Sequence, residues 1–469
     1  MKQAFKIILV LISAFITISS FAQDITGQWN GLLEIQGMQL RIVFHISQDG
    51  ANYSATMVSP DQGATGIPVK EVSFKDSILN LEIPGINFNY SGKVKDSNKI
   101  EGNFTQHGSS YPLNLERGKV EKRVINRPQE PAPPFPYYTE DVKFKNEKDS
   151  ILLAGTLSLP EKEGKFPAVI LISGSGPQNR NEEIFNHKPF LVLADHLTKN
   201  GIAVLRFDDR GVGGSTGDLT AKATSEDFAT DVLAGIDLLK SRKEIQHKRI
   251  GLIGHSEGGI IAQMIASENN DVAFIVLLAG PGTTGEEILI SQLRLIGGAE
   301  GQENLDEKVK IQKSVIDIVK SENDKQKAEK ELKALLENEI NNLSEEEKKQ
   351  IGNADEFIQS QIDAINSDWF RFFLTYDPKP VLKKVKCPVL AIVGEKDLQV
   401  PPKENLEAIG EALKAGGNKD YTIKELPGLN HLFQTAETGS VSEYGEIEET
   451  FSPLALNEIS NWILKYVKR

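Results

Sequence analysis

Apolar and polar positions alternate with a period of two along residues 24–121, broken by turn signals at Asp49-Gly50, Gly85 and Ser97-Asn98. Segments 39–46 and 76–83 show the alternation most clearly and read as half-buried strands. Several short strands at this spacing predict a small antiparallel sheet or barrel over 23–125. Residues 127–136 then carry five prolines in ten positions. That density precludes helix and predicts an extended, semi-rigid linker over 126–137.

The pattern changes after the prolines. Segments 138–144 and 151–159 read as an opening antiparallel pair. Short β-branched runs follow at 168–173, 202–208, 250–254, 272–279, 389–394 and 421–426, with helical periodicity between them, as over 187–200 and 225–240. Such alternation predicts a mostly parallel sheet with helices on both faces, spanning 138–469. From about 285 to 380 no good strand is found, and 303–350 is dense in Lys, Glu, Leu and Ile at helical spacing. Its charges read as solvated helix faces, or more weakly as a coiled-coil interface. Its place between two strands predicts a helical cap inserted over a site.

One junction carries chemistry. The run 249–253 reads as a buried strand and 260–266 as a helix, and Gly254-His255-Ser256-Glu257-Gly258-Gly259 lies between them. A G-x-S-x-G sequence there makes a nucleophile elbow, whose turn leaves room only for glycine on either side of the serine. Ser256 is thus a candidate nucleophile, and it needs a base and a carboxylate to orient that base. In this architecture they follow in the order serine, acid, histidine. Asp397 ends the 389–393 strand in Gly394-Glu395-Lys396-Asp397, with Glu395 as nearest competitor. His431, in Leu429-Asn430-His431, is the only one of seven histidines beyond Asp397. His255 adjoins the nucleophile, but its side chain is expected to turn away from the hydroxyl and be structural.

Acyl transfer also needs two backbone N–H groups aimed at the oxyanion. The N–H of Glu257 is one candidate. Ser173-Gly174-Ser175-Gly176-Pro177 follows the 168–172 strand, so the second is Ser175, with Gly176 as alternate. The Gly-rich stretch after Arg206-Phe207-Asp208-Asp209-Arg210 lacks a P-loop ending and contains no G-x-G-x-x-G. Asp209 and Arg210 read as an ion pair or loop brace. No His/Cys/Asp/Glu cluster has metal-ligand spacing, so neither metal nor cofactor is expected. The aromatics of 367–373 read as packing more than as pocket wall.

Composition narrows the setting. The 469 residues are 39% hydrophobic and 25% charged, as in ordinary globular proteins. A formal net charge of −13 argues against nucleic acid or an anionic membrane as partner. Basic Lys2 and Lys6, the apolar run 7–18 and small residues at Ser20 and Ala22 predict a signal peptide over 1–22, and hence periplasmic or secreted location with no lasting membrane span. Cys387 is the only cysteine, so no intramolecular disulfide can form.

Together the loop 173–177, the stretch 206–211, the elbow 254–259, Asp397 and Asn430-His431 resemble the α/β-hydrolase superfamily, and more narrowly its secreted esterases of the serine-aminopeptidase-like branch. The resemblance covers 138–469 and implies an α/β-hydrolase fold with a cap. It departs at Ser173, where many relatives carry histidine. It implies an exported carboxylesterase that cleaves small or medium acyl esters through an acyl-enzyme on Ser256. A peptidase acting on short peptides shares the same triad. A binding protein whose β domain captures a glycan or lipid is a third reading.

Overall fold

The computed structural model describes residues 24–467 except 36–37, 51, 61–63, 84–87, 107–108, 119–125, 218–222, 300, 302–303, 346–347, 349–350 and 352. The expected signal segment 1–22 lies outside the described residues. The chain divides into two compact units, one carrying most of an N-terminal sheet and the other including everything from 121 onward.

The N-terminal sheet has ten strands among the described residues. They are β1 (Gly27–Ile35), β2 (Met38–Asp49), β3 (Asn52–Ser59), β4 (Ala64–Val69), β5 (Glu71–Lys75), β6 (Ile78–Ile83), β7 (Phe88–Val94), β8 (Lys99–Gln106), β9 (Ser109–Pro112) and β10 (Leu115–Arg117). The order is β4-β3-β2-β1-β10-β8-β7-β6-β5, with β9 on β8, and the pairings are antiparallel wherever their register is defined. Strand β7 alternates buried and exposed at every position, the period-two signature of a sheet with one dry face. Trp29, Phe44, Phe88 and Tyr90 fill that face.

The second unit is built on an eight-stranded sheet of order β11-β12-β14-β13-β15-β16-β17-β18. Its strands are β11 (Tyr138–Asn146), β12 (Ile151–Leu159), β13 (Phe166–Ile172), β14 (Ala203–Phe207), β15 (Ile245–His255), β16 (Val272–Leu278), β17 (Val389–Gly394) and β18 (Tyr421–Leu426). The first two pairings are antiparallel and the rest parallel, so the expected opening pair and parallel sheet are both present. The central strands are apolar on both sides because both faces are covered. Val169 and Leu171 face one layer, with α1 (Pro189–Lys199) and a C-terminal helix (Pro453–Val467). Ile170 and Ile172 face the other, with α2 (Ser225–Ser241), α3 (Glu257–Glu268) and the helix Pro402–Ala415.

Between β16 and β17 the chain is helical, through α4 (Gly285–Ala299), α5 (Leu305–Ser321), α6 (Lys325–Asn342), α7 (Ala354–Ile365), α8 (Asp368–Thr375) and α9 (Pro378–Leu382). These helices bury a small core of their own around Val315, Ile316, Leu332, Ile358 and Ile362. The segment is therefore a folded helical insertion with its charges outward.

The proline-rich segment does not hang free. The Arg127 guanidinium donates to the carbonyls of Ile447 (2.6 Å), Gly445 (2.9 Å) and Phe185 (3.2 Å). Gln129 bonds Phe451 and Thr450 in both directions. These contacts fasten the start of the second unit to its own C-terminal loops.

Candidate active site

Strand β15 ends at His255 and α3 begins at Glu257, so the chain reverses on the single residue Ser256. Its backbone is left-handed, at φ 52° and ψ −118°, a conformation that costs a non-glycine residue about 1–3 kcal/mol. The flanking glycines make the reversal possible. A Cβ on Gly254 would lie 2.0 Å from the Gly258 carbonyl oxygen, and one on Gly258 would lie 2.1 Å from that of Ile172. The Ser256 N–H donates to Leu278 on the adjacent strand at 2.8 Å. Being first in α3, Glu257 has an N–H without an intrahelical acceptor.

Asp397 and His431 arrive from the loops after β17 and β18. The Asp397 carboxylate is buried, and its Oδ2 lies 2.8 Å from His431 Nδ1. Its Oδ1 accepts the N–H groups of Gln399 and Val400, both at 2.8 Å, so the acid is oriented before it meets the ring. The competitor Glu395 is exposed and accepts the Gly428 N–H instead. Asn430 shapes the histidine loop by accepting from the N–H groups of Leu432 and Gln434.

Ser256, Glu257, Ser175 and His431 all line one cavity of about 210 Å³. Gly176 is not on its wall, whereas Ser175 is. Ile288 and Leu289 of α4 and Trp369, Phe370 and Phe373 of α8 also line it. Trp369 and Phe373 stack with centroids 5.6 Å apart and planes 2° from parallel. The expectation that the 367–373 aromatics serve mainly as packing is thus corrected, because an eight-residue helix returning from the cap presents one aromatic face to the cavity.

Three carboxyl groups surround the loop 173–178. Glu182 Oε1 accepts the Gly174 N–H at 2.7 Å and lies 2.8 Å from His255 Nδ1. Glu257, also buried, accepts from Ser225 Oγ (2.6 Å) and from Trp369 Nε1 (2.8 Å), which joins the elbow to the cap. Burial holds its pKa above the ordinary carboxylate range, against the opposing hydrogen bonds of Ser225, Trp369 and Ser175. Asp209 accepts from Ser173 Oγ and the Gln178 N–H, each at 2.9 Å.

Asp209 and Arg210 do not pair with each other, contrary to one reading of the sequence. Adjacent side chains diverge here. Arg210 pairs with Asp231 (2.8 Å) and Asp149 (2.9 Å), while Asp209 turns to the 173–178 loop, so each is a brace. Burial pushes the Asp209 pKa up to about 7. Unfolded, the same group ionises near pH 4. Its stabilising contribution is therefore complete below about pH 4 and lost as pH rises through about 7. Accordingly, Asp209→Asn gains melting temperature relative to the wild type between about pH 5 and pH 8. A gap independent of pH contradicts this assignment.

A hydroxyl at an elbow, an imidazole held by a buried carboxylate and N–H donors around one cavity are the parts required for acyl transfer. Sheet order, helical layers and elbow define an α/β-hydrolase. The chain belongs to the family described as serine aminopeptidase, S33, whose model matches residues 188–437. It is 27% identical to the esterase EstD of Thermotoga maritima over 354 residues, 74% of each chain. It is 30% identical to the putative hydrolase YtaP of Bacillus subtilis over 133 residues, 25% of this chain and 44% of that one. Among solved structures it is similar to the Pyrococcus furiosus esterase Pf2001, with 17% identity, TM-score 0.43 and coverage of 74% of this chain and 99% of that one. The protein is accordingly a hydrolase.

Proposed function

We propose that the protein is an exported carboxylesterase that cleaves small or medium acyl esters through an acyl-enzyme on Ser256. The observation that carries this reading is the shared cavity. Ser256 and His431 line it, Asp397 bonds the far nitrogen of the ring, and apolar side chains of α4 and α8 complete its lining. Ser256 Oγ attacks the ester carbonyl as His431 takes its proton, and His431 then returns that proton to the leaving alcohol. Asp397 fixes the ring's tautomer and stabilises its cation. The N–H groups of Glu257 and Ser175 receive the developing oxyanion. Water, activated by His431, then releases the acid.

An aminopeptidase must hold a free ammonium group near the scissile bond. Among the described residues lining the cavity, the carboxylates are Glu182 and Glu257, and each is already engaged by protein donors. That favours a neutral substrate, as does the esterase activity named for the Thermotoga maritima relative. Size narrows the class further. At roughly 30 Å³ per water molecule, 210 Å³ is room for about seven waters, a scale that suits a short acyl chain. Export rests on the composition of residues 1–22.

The test is to recover the mature protein from the exported fraction, with its N-terminus at Gln23, and to compare p-nitrophenyl esters of rising chain length with aminoacyl p-nitroanilides. Acetate to hexanoate esters are the expected substrates, with kcat/KM falling by about tenfold or more on longer chains that outgrow the cavity. Faster turnover of aminoacyl anilides than of any ester would overturn the esterase reading.

A further inference from the structure

We infer that Glu182 and His255 form a positioning pair that locks the 173–176 loop to the His431 loop, and that the pair governs turnover rather than substrate affinity. The inference rests on the reading of Ser256 as nucleophile and adds two residues to its machinery.

The geometry is a continuous chain of hydrogen bonds. The Gly174 N–H donates to Glu182 Oε1 at 2.7 Å, that oxygen lies 2.8 Å from His255 Nδ1, and His255 Nε2 lies 3.0 Å from the His431 carbonyl oxygen. One end of the chain is the loop that carries the Ser175 N–H, and the other is the backbone of the general base. Both linking side chains are buried, at 4% and 7% exposure, so little solvent competes for their bonds even though they border the cavity. Glu182 is also held in a left-handed backbone conformation, φ 50°, that a glutamate does not adopt by preference. Strain of this kind persists only where the surroundings enforce it.

Proton counting makes the pair specific. The His431 carbonyl can only accept, so His255 Nε2 carries a proton. Against an ionised Glu182, whose Oε1 also accepts from Gly174, His255 Nδ1 donates as well. In that arrangement the ring holds two protons and is an imidazolium paired with a carboxylate. Burial works against that charge, but Glu182 outweighs it, with further support from the His431 carbonyl and Asp397. The charged groups facing the ring are Glu182 and, further off, Asp397, while the His431 ring packs with its centroid 4.8 Å away. Beside an ionised Glu182, a neutral His255 would have one proton for two acceptors and would release one of the two loops.

The substitution Glu182→Gln creates that shortage with little change of shape. Labelling of wild-type Ser256 by a fluorophosphonate is the control: if it fails, the esterase reading fails and not this one. Given labelling, Glu182→Gln lowers kcat on p-nitrophenyl butyrate on the order of tenfold, with KM within about twofold. Unchanged kcat, or a change confined to KM or to melting temperature, overturns the inference. Should the variant not fold, ¹⁵N NMR of histidine-labelled wild type decides the matter. Both His255 nitrogens protonated at neutral pH support the pair, and a single neutral tautomer contradicts it.

Discussion

Replacing Ser256 by alanine is expected to lower kcat on p-nitrophenyl butyrate by about 10⁵- to 10⁶-fold while the fold survives. The loss is large because no other group supplies the nucleophile, and the oxyanion donors alone retain only a small residual rate. The fold survives because the elbow does not depend on the hydroxyl. Its turn is held by the Ser256 N–H on Leu278 and by the close approach of Gly254 and Gly258 to neighbouring backbone. Alanine keeps the same Cβ and pays the same left-handed strain, so the melting temperature should stay within a few degrees, as for about 1 kcal/mol or less. A variant that keeps more than about a hundredth of wild-type kcat contradicts the assignment of the nucleophile.

The second large effect is expected from Asp397→Asn, and the hydrogen bonds determine its form. Asp397 Oδ1 accepts two backbone N–H groups, from Gln399 and Val400, so the asparagine carbonyl oxygen must occupy that place. The amide NH₂ then faces His431 Nδ1, where Oδ2 stood at 2.8 Å. It forces Nδ1 to accept, which moves the ring proton to Nε2 and leaves no base for the serine. A fall in kcat of about 10⁴-fold with the fold intact is the expected outcome. A loss under about tenfold would show that Asp397 does not set the tautomer.

Much of this site was readable in the chain because its constraints are local. The elbow is visible in sequence since the Gly254 and Gly258 positions tolerate no Cβ. His431 followed from chain order alone. The sheet was legible because parallel strands such as β17 are buried along their whole length, as their unbroken apolar runs suggest. What stayed hidden are contacts between residues far apart in the chain. Glu182 meets Gly174 eight residues away and His255 seventy-three away, and no periodicity marks it. Trp369 reaches Glu257 across 112 residues, so its place on the cavity wall depends on how the cap folds back. Of the two readings of Asp209 and Arg210, the loop brace holds and the mutual ion pair does not, because adjacency in sequence says nothing of side-chain direction. Their partners lie on β12's neighbouring turn, α2 and the 173–178 loop.

The cavity also explains why one residue can serve several tasks. Glu257 offers its N–H beside the nucleophile while its carboxyl ties Ser225 of α2 to Trp369 of α8. Trp369 of the cap is thus tied to the same residue whose N–H is the proposed oxyanion donor.

A covalent intermediate on the Ser256 hydroxyl can be trapped and located in one experiment. The wild-type protein is treated with a fluorophosphonate, digested, and the adduct located by peptide mass spectrometry, with the Ser256→Ala variant in parallel. One stoichiometric adduct on Ser256 in the wild type and none in the variant is the expected result. An adduct on another residue, or equal labelling of both proteins, would contradict it.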